Sequence, residues 1–76
     1  MNFKQATDAL LESVTLEDLA TALGKSVQAV RQARADEYST AYRSPPPGWE
    51  AAVRNLAERR ANALIRLAGK CNERLT

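Results

Sequence analysis

Gly24 is the residue that most restricts how this chain can fold. Ahead of it, Leu16, Leu19, Ala20 and Leu23 fall at i, i+3, i+4 and i+7, the apolar stripe of a short helix. A helix that must turn sharply ends best on a left-handed residue, and glycine takes that conformation without strain. Two positions later Ser26 has the residue type that caps a new helix, so the spacing predicts two short helices meeting at a tight turn. Thr15, with Asp18 three residues on, gives the first of them a relative of the capping box.

On a helical projection of the second helix, Ala29, Val30 and Ala33 gather on one side. They are small and apolar, suited to packing on Leu19 and Leu23. Val27, Gln28, Arg31, Gln32 and Ala35 gather almost opposite, on a face without acids. Amide and guanidinium groups can form paired hydrogen bonds to base edges, glutamine to adenine and arginine to guanine.

The segment from Thr15 to Arg34 resembles the helix-turn-helix of bacterial and phage DNA-binding regulators. In that family a small residue lies four before the turn glycine, the relation of Ala20 to Gly24 here. Leu19, Leu23, Val30 and Ala33 stand where the family has its core apolar residues. Lys25 departs from the pattern, which usually has an apolar residue there, and Ala33 is smaller than usual. The match covers about a quarter of the chain. It implies a recognition helix over residues 26–35, with Val27, Gln28, Arg31 and Gln32 reading bases in the major groove. Phosphate contacts are then expected from Thr15, Thr21, Lys25, Ser26, Arg34 and Arg43.

Charge is distributed in a way that suits such a face. Residues 1–24 carry one lysine against four acids, net −3; residues 25–76 carry ten basic against five acidic side chains, net +5. The sign changes at the turn, although the total is only +2. There is no histidine and a single cysteine, Cys71, so disulfides, histidine–zinc sites and histidine acid–base chemistry are excluded. No catalytic set, metal site or cofactor is expected, and no small-molecule ligand is evident. No run approaches the ~18–20 apolar residues of a membrane span, and the start of the chain lacks a secretory layout. A cytoplasmic protein of a bacterial cell, associated with its nucleoid, is the expectation.

The remaining chain divides into three. Residues 2–14 read as a first helix capped by Asn2, with Phe3, Ala6, Leu10 and Val14 on its stripe. After Arg34 nothing stops the recognition helix before Pro45, so an extension carrying Tyr38 and Tyr42, and a loop in its place, are both open. Tyrosines there could hold phosphate or brace the linker. Ser44–Gly48, with three prolines, is a stiff elbow of polyproline character. From Trp49 to about Asn72 the composition predicts one long helix whose stripe is Trp49, Val53, Leu56, Leu64, Leu67 and Cys71. Arg60 falls within that stripe, so it needs an acidic partner, for which Glu17 and Asp18 are candidates, or its head must snorkel to water. Glu50 and Arg54 are spaced to pair. Gly69 suggests a helix end or a close backbone approach. Ile65 lies off the stripe and suggests a second contact surface.

The fold expected is all-α, a trihelical helix-turn-helix core (1–43), an elbow (44–48) and a long C-terminal helix (49–76), in one compact unit. That helix is longer than so small a core can cover, and a homodimer through Leu56, Leu64, Ile65, Leu67 and Cys71 uses the excess. The function expected is a small dimeric transcriptional regulator of repressor or autoregulator type, bound to double-stranded DNA. Two alternatives stand beside it. One is a helical interaction module, an antiactivator or adaptor with a purely structural hairpin; the other is an architectural or excision factor.

Overall fold

The computed structural model describes the backbone of residues 1–75 and the side chains of residues 1–72. Four helices follow one another: α1 (Phe3–Leu10), α2 (Leu16–Leu23), α3 (Val27–Ala33) and α4 (Trp49–Leu75). The described residues contain no strand, and the all-α class with a long last helix is as expected.

Local chemistry sets each helix start. The Asn2 carboxamide oxygen accepts the Gln5 amide at 2.8 Å while the Gln5 side chain accepts the Asn2 amide at 3.0 Å, a complete capping box. Thr15 and Asp18 form the second box on α2. That second cap explains why α1 stops at Leu10 and does not run to Val14. Hydrogen-bonded turns continue to Val14, whose amide reaches the Leu10 carbonyl at 3.2 Å. Thr15 must then be extended (φ −85°, ψ 162°) to cap α2, so the last turn cannot remain regular helix.

The core lies where α1, α2 and α3 meet beneath the first half of α4. Phe3, Leu10, Leu19, Ala20, Val30 and Ala33 are buried, and Leu16, Leu23, Val53 and Leu56 pack around them. Burying a residue such as Leu19 stabilises the fold by roughly 1.5–3 kcal/mol. Trp49 meets Phe3 edge to face, ring centroids 5.2 Å apart, and pins the start of α4 to the start of α1.

Helix α3 does not extend through Tyr42. After Ala33 the side chains of the loop take over the backbone donors: Asp36 accepts the Tyr38 amide at 2.9 Å, and the Ser39 hydroxyl accepts the Ala41 amide at 3.1 Å. The Arg43 amide then donates to the Gln32 carbonyl at 3.1 Å, which turns the chain back along α3. The proline elbow runs beside Ala29 and Gln32. Gly48, at φ 79°, makes the last reversal before α4.

Helix α4 has 27 residues, about 40 Å at 1.5 Å each. The molecule measures 56 × 21 × 18 Å, with a radius of gyration of 15.2 Å where a compact chain of this length has about 11 Å. The difference is the far half of α4, which leaves the core behind. Trp49, Ala52, Val53, Leu56 and Ala63 are half-buried; from Leu64 to Asn72 every side chain is exposed.

The expectations for α4 meet different outcomes. Arg60 takes the second of its two courses: it is exposed to water and bonds neither Glu17 nor Asp18. Glu50 and Arg54 do not pair: among the described residues the ion pairs are those of Asp8 with Lys4 and Arg34. Gly69 neither ends the helix nor admits a close neighbour, since α4 runs through it and a Cβ there would meet nothing within 4 Å. Leu56 belongs to the core and not to a free surface.

Candidate nucleic-acid interface

The site begins with the geometry of the turn. Gly24 sits at φ 67°, ψ 31°, and the chain reverses there. The Lys25 amide donates to the Ala20 carbonyl at 3.0 Å and the Gly24 amide to the Thr21 carbonyl at 3.1 Å, a Schellman closure. The Ser26 hydroxyl accepts the Ala29 amide at 3.1 Å and starts α3 at once. Ala20, almost fully buried, is the small residue that lets α2 and α3 approach.

Helix α3 presents two kinds of surface. Val30 and Ala33 face the core, as expected. Gln28 and Arg31 are exposed, and Gln32 is half-exposed, bordered by the returning elbow. Val27, expected among the base readers, is instead half-buried against the core cluster. The inward arc of α3 is wider than its three small residues suggest, because Val27 also reaches the cluster of Leu10, Leu19, Ala20 and Val30.

Arg34 is the larger correction. It was expected on phosphate, but its Nε donates to Thr7 Oγ1 at 2.9 Å and its guanidinium pairs with Asp8. The arginine side chain is only 22% exposed. Thr7 is fully buried on α1, and its hydroxyl also donates to the Phe3 carbonyl at 2.8 Å. Thus Thr7 accepts from α3 while donating within α1, and Asp8 supplies the counter-charge. Partial desolvation pushes the Asp8 carboxyl up, but hydrogen bonds from Arg34 and Lys4 and their charges outweigh it, so the group titrates below its ordinary value of 3.8. Sequence reasoning missed this clamp. Its one signal was a threonine on the apolar stripe between Phe3 and Leu10, with an acid beside it.

The other expected phosphate contacts divide. Lys25 and Ser26 are exposed beside the start of α3, next to Gln28. Thr21 is exposed one turn back on α2, and Thr15 lies at the far end of α2, about 12 Å away along the helix. Arg43 is exposed, yet its guanidinium donates to the carbonyls of Tyr42 (2.8 Å) and Thr40 (3.3 Å), bracing its own loop. The two tyrosines part company. Tyr42 is half-buried in a hollow shared with Phe3, Ala33 and Trp49, whereas Tyr38, 89% exposed, stands at the loop tip.

Compared with family models, with curated proteins and with solved structures, the chain matches none.

What the arrangement can do chemically follows from its own groups. Gln28 and Arg31 offer donors and an acceptor on one exposed face, and Lys25 adds a cation at its edge. Asp36 and Glu37, in the loop beyond α3, limit that positive face at its C-terminal end. Among the described residues, no helix is long and apolar enough to cross a membrane.

Proposed function

We propose that this chain is a sequence-specific DNA-binding protein, a small transcriptional regulator of repressor or autoregulator type, acting on double-stranded DNA in the bacterial cytoplasm. Its α3 lies in the major groove on this reading, with Gln28, Arg31 and Gln32 at base edges. Lys25, Ser26 and Thr21 hold phosphates; Thr15 and Arg43 serve at the margins. Val27 and Arg34 leave the interface and hold α3 in place.

The observation that carries the proposal is the pairing of a left-handed turn at Gly24 with Gln28 and Arg31 standing free on the next helix. The turn sets α3 against α2, and the free amide and guanidinium on its outer face are the groups that pair with adenine and guanine edges. The interaction-module alternative draws on a different observation, the exposed apolar surface of the far half of α4. An architectural or excision factor uses the same α3 contacts with DNA bending in place of promoter control.

A salt series separates the readings. Binding to the chain's own upstream DNA should weaken steeply as salt rises, because neutralised phosphates release counterions. Arg31→Ala should erode discrimination between specific and random sites by about 1–3 kcal/mol. Absence of DNA binding at low salt, with Arg31→Ala indistinguishable from wild type, leaves the interaction module.

A further inference from the structure

We infer that the hollow between α3 and the proline elbow is a grip for one strand of the DNA backbone, its phosphates held by Lys25 and Arg43. The hollow has a volume of about 640 Å³. Lys25, Ala29 and Gln32 stand on its hairpin side, and Arg43, Ser44 and the prolines on its elbow side. Among the described residues no acid lines it, whereas Asp36 and Glu37 border the hollow beside Phe3 and Trp49. A polyanion is attracted to the first and turned away from the second.

Arg43 is held ready for such a contact. Its amide donates to the Gln32 carbonyl at 3.1 Å, which fixes the start of the elbow against α3. Its Nη1 donates to the carbonyls of Tyr42 and Thr40, and this orients the guanidinium. Nε and Nη2 have no partner among the described residues and keep their donors for a ligand. A guanidinium anchored at one nitrogen loses less freedom on taking up a phosphate. The Lys25 ammonium is likewise unpaired among the described residues. Prolines have no N–H, so Pro45, Pro46 and Pro47 stiffen the wall while the cations, the Gln32 amide and Ser44 supply the donors.

The place of the hollow makes a DNA strand its occupant. Ala29, which lines it, lies about 100° around α3 from Gln28, so the hollow is on the flank of the exposed face and not at its centre. A helix with its side chains is about 10–12 Å across and the major groove about 12 Å wide. Both flanks of a helix lying in that groove therefore meet sugar–phosphate strands. The elbow widens α3 on one flank, and its cation is brought against the strand there. This assignment rests on the regulator reading, which puts α3 in the groove; it adds the elbow to the interface and makes Arg43 a partner of Lys25.

A salt series on two duplexes, one selected from a random pool and one of random sequence, tests the grip. Lys25→Gln and Arg43→Gln should each lower the slope of log K against log salt by about 1. Each should weaken both duplexes by the same factor and leave discrimination intact. Methylphosphonate placed at one position at a time then locates the phosphates. Neutralisation that weakens the wild type should have no effect on the variant whose cation held that phosphate. The positions found for the two variants should coincide or adjoin on one strand. The Lys25 side chain makes no bond within the described protein, so Lys25→Gln decides the matter if circular dichroism shows that Arg43→Gln disturbs the fold. A wild-type slope in Lys25→Gln or in a well-folded Arg43→Gln, or positions on opposite strands, overturns the inference. If Arg31→Ala erodes discrimination in those same assays, the grip alone falls; if no duplex is bound at low salt, the regulator reading falls with it.

Discussion

The two halves of α4 share a helical apolar stripe and have different physical lives. Residues 49–63 place Trp49, Val53 and Leu56 on α1 and α2, where they close the core from above. Residues 64–72 repeat the same apolar spacing with Leu64, Leu67 and Cys71, and nothing in the monomer covers them. Periodicity therefore reports that a helix has an apolar face; it does not report what lies opposite. The two arginines of the α3 region teach the same lesson at shorter range. Arg31 stands in solvent, while Arg34, three residues on, is held by Thr7 and Asp8.

The contrast between the halves is sharpest under one substitution made twice. Leu56→Ala should cost about 2 kcal/mol, the low end for a leucine truncation because the site is half-buried. Leu67→Ala should change the stability of the monomer by less than about 0.5 kcal/mol. Denaturation in urea at low protein concentration measures both. Equal losses would mean that the far half is packed in the monomer after all.

The arginine pair gives the next largest effect. Arg34→Ala should destabilise by about 1 kcal/mol, since Thr7 keeps its bond to Phe3 and the ion pair is partly screened. Arg31→Ala should leave stability within about 0.5 kcal/mol of wild type. A reversal of that order in thermal melts would exchange their roles.

Asp8 adds a pH dependence to the same clamp. Its folded pKa lies below the ordinary 3.8, so its contribution is complete above that value and is lost as pH falls through the lower folded value. Asp8→Asn should flatten the acid limb of the stability profile below about pH 4 relative to wild type. An unchanged limb would show that the carboxylate does not couple to folding.

The smallest effect belongs to Gly69. Nothing surrounds it and the helix passes straight through, so Gly69→Ala should stabilise the far half by somewhat under about 1 kcal/mol, read as increased helicity by circular dichroism. A loss of helicity would point to a neighbour that the monomer does not possess.

Much of the fold was legible because the signals are local. The caps at Asn2, Thr15 and Ser26 and the reversal at Gly24 depend on residues within three or four positions of one another. The inward character of Leu19, Ala20, Val30 and Ala33 followed from helical spacing alone. The candidate site was only partly legible. Gln28 and Arg31 stand outside as expected, but Val27 and Arg34 do not, because Val27 reaches the core cluster and Arg34 is held by Thr7 and Asp8, and the turn motif says nothing of those two residues. Which of its two courses Arg60 takes was decided by the groove at its position, which is open and lets the side chain reach water.

By itself, then, the order of residues determined the helices, their caps, the left-handed turn and the division at the prolines. All of these are decided by short-range sterics and backbone hydrogen bonding. Tertiary structure alone decided which polar side chains are held and which are free, and where along α4 the core ends. Burial depends on what another segment brings from far along the chain, and Arg34 meeting Thr7 across 27 positions is the clearest instance.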